Sequence, residues 1–167
     1  MEVLKSDYLI ENIIDGLKAD ISTERLLLWV WHADKIPPHI GISFDNEYFS
    51  LKANGKDENL PLENILSLIS RKNIKTLCFE LDSSIKKRTI MDVFSQYKQT
   101  IPFQITCLDP IKKVLEIPFA RKLTDLLDVL YSNGLVIRVI GFSIDEKFQG
   151  IRQYSEGDIN TRLLKLQ

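Results

Sequence analysis

The chain has 167 residues, 44% of them hydrophobic and 27% charged, which suits one folded domain and excludes a disordered polymer. Its 22 basic and 23 acidic residues nearly cancel, and a net charge of −1 leaves no electrostatic footprint for nucleic acid or an anionic membrane. No apolar run reaches the roughly 18 residues that a bilayer span needs.

The opening stretch, Met1 to Asp7, lacks the basic-then-apolar order of a secretory signal. Two cysteines, Cys78 and Cys107, make no disulfide framework and fit a reducing compartment. Together these predict a cytoplasmic protein. Ile10, Ile13, Ile14 and Leu17 fall at i, i+3, i+4 and i+7, which predicts an amphipathic helix over 8–18. Arg25 to His32 is an apolar run too short for a good helix and reads as a buried strand; Trp29 and Trp31 share one face of it. Pro37 and Pro38 then break the chain, since they lack donors and force extended backbone before them.

His39 to Lys52 reads as a hairpin. Ile40, Ile42 and Phe44 alternate with His39, Gly41 and Ser43, Asp45-Asn46 supplies turn chemistry, and Tyr48, Phe49 and Leu51 return. Residues 54–59 read as a polar loop, followed by a helix over 62–72 with Pro61 at its start and Arg71 and Lys72 at its dipole-favoured end. A strand over 74–81, a helix carrying Ile90, Val93, Phe94 and Tyr97, and a short strand over 103–107 are expected next. Asp109-Pro110 reads as N-cap and first position of another helix. Leu123, Leu126, Leu127 and Leu130 mark a further helix that Asn133-Gly134 ends, and residues 135–144 a last apolar strand. From Asp145 the chain turns polar, with a short peripheral helix near 158–166. No repeat or linker divides it, so a single α+β domain over 1–167 is expected, its strand meander packed by helices.

No Gly-rich phosphate loop, dinucleotide fingerprint or nucleophile elbow is present, so no cofactor is expected. The reactive candidates reduce to His32, His39, Cys78, Cys107 and a few carboxylates. Cys78 lies inside an alternating strand and reads as core, and His32 as a surface residue at a strand end. A zinc site from His32, His39, Cys78 and Cys107 lacks any paired ligand spacing. Trp29 and Trp31 carry indole N–H groups that need partners and belong either to the core or to a pocket wall.

The order of a strand, a His-Ile-Gly-Ile strand, a Tyr-Phe-Ser-Leu strand, a Leu-rich helix and a further strand, with Cys107 ahead of a helix, resembles the NlpC-type papain-like cysteine hydrolases. The resemblance is to their circularly permuted branch, which includes lecithin retinol acyltransferase, and covers residues 26–117. It implies a permuted papain-like fold in which His39 is the base and Cys107 the nucleophile toward an amide or ester. A helix N-terminus and a nearby imidazole both favour thiolate. The family pattern also implies a polar residue near Leu51 that orients the histidine, where this chain offers only Ser50 or Lys52. Two readings therefore stand: a noncatalytic domain, either a degenerate member of such a fold or an unrelated α+β binding module, with a small molecule or peptide as ligand, and a thiol hydrolase or acyltransferase.

Overall fold

In the computed structural model, which describes residues 7–167, the strands are β1 Tyr8–Leu9, β2 Ile13–Asp15, β3 Leu26–Trp31, β4 His39–Phe44, β5 Glu47–Lys52, β6 Gly55–Pro61, β7 Thr76–Leu81, β8 Val136–Phe142 and β9 Gly150–Ile151. The helices are α1 Leu62–Lys72, α2 Lys87–Phe94, α3 Leu108–Val114, α4 Leu123–Ser132 and α5 Glu156–Lys165. Most of the stretch read for a leader, residues 1–6, lies outside the described residues. The architecture is α+β, as expected. A seven-stranded sheet runs β2-β8-β7-β3-β4-β5-β6, antiparallel except where β2 joins β8, and β1 and β9 form a separate antiparallel pair.

Strand β3 is buried at every residue because helices cover both faces of the sheet. Leu26, Leu28 and Val30 share one face with Ile40, Ile42, Phe49 and Phe79, under the apolar stripes of α2, α3 and α4. Leu27, Trp29 and Trp31 face the other way, packed with Tyr48 and Cys78 against Leu62, Ile65 and Ile69 of α1. Trp29 Nε1 donates to Ser43 Oγ at 2.8 Å inside this layer, which satisfies a fully buried indole, whereas Trp31 Nε1 is buried with no such partner. At the β4–β5 turn, Asp45 and Asn46 both have positive φ, the conformation that matches the twist of a two-residue hairpin.

Three local expectations are corrected. Residues 8–18 form strands and turns. Asn12 takes φ +57°, which interrupts any helix, and the apolar stripe splits: Ile10 is buried, Ile13 pairs with β8 beside Gly141, and Leu17 is 95% exposed. Residues 55–61 form the edge strand β6, not a loop. Edge position requires no apolar face, and its charges instead find Lys52–Asp57 and Lys56–Glu58 ion pairs. Residues 101–105 close a tight turn with a single Ile101–Ile105 bridge in place of a strand. No helix among the described residues is long and apolar enough to cross a membrane.

Candidate functional site

The β3–β4 ladder runs from Trp31↔His39 to Leu27↔Ser43, but the β4–β5 ladder runs only from Ile42↔Phe49 to Phe44↔Glu47. Residues 39–41 are thus paired on one side, while the end of β5 pairs outward with β6. Tyr48 explains part of this parting. Its hydroxyl lies 2.1 Å from where a Cβ on residue 41 would stand, so the ring occupies the space above Gly41 that any other residue would fill. Beyond the gap, the Thr100 amide donates to the Lys52 carbonyl at 2.9 Å and carries the chain toward α3 across the strand ends.

Cys107 is the residue that caps α3, one position before Leu108. The sequence placed the cap at Asp109; instead Asp109 sits in the first turn and its Oδ2 accepts from the Thr106 amide at 2.6 Å, which starts the helix earlier. The backbone amides of Ile40 and of Cys107 itself pull the Cys107 thiol toward thiolate, and Asp109 opposes them. His39 and Cys107 line one cavity of about 570 Å³, together with Leu51, Tyr154 and Leu163. Tyr154 anchors the floor, its hydroxyl accepting from the Leu123 amide at 2.8 Å.

The pair reaches this cavity from opposite sides of β4. Side chains alternate along a strand, so His39 stands on the face of its register partner Trp31, in the α1 layer. Ile40 faces the three-helix layer, and Cys107 packs there. The groups that act on His39 are Asp57, Lys52 and His32, and those on Cys107 are Asp109 and the two amides; neither member of the pair is among the groups that shift the other. Burial drives both toward neutrality. It lowers His39 to about 4, against the pull of Asp57, and raises Cys107 to about 11, against the pull of the two amides. Moving the thiol proton to the imidazole in this arrangement is uphill, since burial opposes the charged form of both.

Of the residues flanking the position expected to orient the histidine, Ser50 donates to Asp57 Oδ2 at 3.0 Å and Lys52 pairs with Asp57 Oδ1 at 2.8 Å. Leu51 itself is fully buried on the cavity wall. His32 also lines the cavity, half-buried and with positive φ where β3 ends, rather than standing apart on the surface. Cys78 is core, its thiol pushed far up by burial. Among the described residues no group of three or more His, Cys, Asp and Glu is placed to hold a metal. No family model, curated protein or solved structure matches the chain.

The lowered His39 has a measurable consequence. A group whose folded pKa lies below its unfolded value of about 6.5 adds stability above that pH and loses it as the pH falls through the folded value. From pH 6.5 to below 4, His39 should therefore withdraw about 3 kcal/mol, with His32, lowered by burial and by Lys35 and Arg162, acting in the same direction. Urea titrations of His39→Gln should show a shallower acid loss than the parent protein. Parallel curves would mean that the imidazole titrates normally in the folded state.

Proposed function

We propose that this domain binds a small organic molecule in the cavity between the ends of β3, β4 and β5, α3 and α5, without thiol catalysis. The observation that carries the reading is the placement of Cys107 and His39 on one cavity but on opposite faces of β4, both held neutral. A volume near 570 Å³ falls within the range of small-molecule sites, and mainly apolar walls with a few convergent polar groups have the composition of such sites. In this reading the thiol and imidazole are polar points on a binding wall.

A fragment screen read by amide chemical shifts tests it. Bound fragments should move resonances of Thr106, Leu123 and Leu163, which come from three separate segments of the wall. Ala53→Phe, which adds a ring at the half-buried cavity edge, should abolish those shifts while the rest of the spectrum stays folded. Shifts scattered over other surfaces, or shifts that survive the filled cavity, would end the binding reading.

A second reading has a specific observation behind it: a thiol next to the head of α3, pulled toward thiolate by the backbone at Ile40 and Cys107, shares a cavity with an imidazole. As a thiol hydrolase, Cys107 Sγ would bond the carbonyl carbon of an amide or ester. His39 would take the thiol proton and return it to the departing amine or alcohol, and water would then release the acyl group as acid. That route needs β4 to rotate His39 toward the sulfur and to overcome the proton-transfer cost above.

A further inference from the structure

The signs of the charges around the cavity are one-sided. Lys35, Lys52, Lys122 and Arg162 line it, and no described Asp or Glu does, in a chain with one more acidic residue than basic. Lys52 is neutralised by Asp57. The other ion pairs among the described residues involve none of Lys35, Lys122 and Arg162. These three come from unrelated places: the β3–β4 connection, the residue that caps α4, and the last turn of α5. Folding brings them to one opening.

Two of the three act on a common group. Lys35 and Arg162 both depress His32, which also lines the cavity, and His32 in turn acts on His39. Asp34 is the one carboxylate that opposes them at His32, and it does not line the cavity. Lys35 and Arg162 are exposed at the cavity and Lys122 is half-buried, and like charges gathered at one opening repel one another, a cost that no described carboxylate on the lining offsets. An anion supplied from outside would recover it. The same lining carries an apolar set, Ile36, Ile40, Leu51, Leu108, Leu123 and Leu163.

We propose that the cavity takes an organic anion, its apolar body on the leucine and isoleucine wall and its carboxylate or phosphate head between Lys35, Lys122 and Arg162. This rests on the reading of the cavity as a binding site. It adds the charge of the ligand, which the apolar wall alone does not specify.

A series on one ring system tests the charge separately from the apolar body. 2-Naphthoate, 2-naphthyl phosphate, 2-naphthalenemethanol and 2-naphthylmethylammonium would be titrated against the full chain by calorimetry. One or both anions should bind at least tenfold tighter than the alcohol, and the ammonium weaker than the alcohol. The double variant Lys35→Gln/Arg162→Gln should lose most of the anion preference and keep its affinity for the alcohol, which controls for folding. A stronger response to naphthoate assigns a carboxylate head, and to naphthyl phosphate a phosphate head. Equal binding of alcohol and anions, or an anion preference that survives the double variant, overturns the anionic ligand while the binding reading stands. If none of the four binds, the inference falls, and the fragment screen with Ala53→Phe decides the binding reading by itself.

Discussion

Gly41→Ala should destabilise the protein by about 3 kcal/mol, at the upper end of what overpacking a core costs. The strain is local and has one source. The new methyl group would stand 2.1 Å from the Tyr48 hydroxyl and 2.4 Å from the adjoining ring carbon, and Tyr48 is 1% exposed with Trp31 edge-on at 5.9 Å. The ring therefore cannot swing aside without disturbing the α1 layer. Tyr48→Leu by itself should also cost stability, because it empties part of that layer. Combined, the two changes should cost less than their sum by about 2 kcal/mol, since the leucine vacates the space that the methyl group needs. Denaturant melts of the four proteins measure the coupling. Strict additivity would show that Gly41 is required for something other than room for Tyr48.

That pair also shows how much of the molecule is legible in sequence. The His-Ile-Gly-Ile and Tyr-Phe-Ser-Leu strands announce a hairpin by alternation and turn chemistry, and the register Ser43↔Tyr48 follows from the Asp45-Asn46 turn. Alternation does not reveal that Tyr48 lies across Gly41 or that the ladder stops at Ile42. Both depend on where α1 and α3 press on the two faces. The same limit applies to 8–18, where a helical spacing of isoleucines is overridden by Asn12 in a left-handed conformation and by pairing with β8, 126 residues further on. Strand β6 is invisible to any search for apolar periodicity, because an edge strand stabilised by ion pairs has none.

The site divides in the same way. His39 and Cys107 are found by chemistry, since imidazole and thiol are few in this chain, and the fold does bring both to one cavity. Lys35, Lys122 and Arg162 are three of 22 basic residues and carry no local mark. Only the tertiary structure distinguishes them from solvated surface. The face on which each candidate stands is likewise a property of register, and it separates a shared cavity from an assembled catalytic pair.

Cys107 should resist alkylation at neutral pH. A thiol raised to about 11 holds roughly 300-fold less thiolate at pH 7 than an ordinary cysteine near 8.5. Thiolates of higher pKa are more nucleophilic, which returns roughly a tenfold factor and leaves iodoacetamide roughly 30-fold slower than with a free thiol. The rate should climb steadily from pH 7 past pH 9, and Cys78, fully buried in β7, should stay unmodified throughout. His39→Ala should leave the Cys107 rate within about twofold, because register places the imidazole on the other face of β4 from the helix layer where Cys107 packs. The hydrolase reading requires the reverse: rapid modification at pH 6 to 7, with a plateau where the pair exists as thiolate and imidazolium, and a large drop when His39 is removed. Rate against pH for the parent chain, His39→Ala and Cys78→Ala, with the modified cysteine identified by mass spectrometry, separates the two. A fast, His39-dependent plateau would replace the binding module with an enzyme. A slow, rising, His39-independent profile would leave the thiol as a neutral part of the cavity wall.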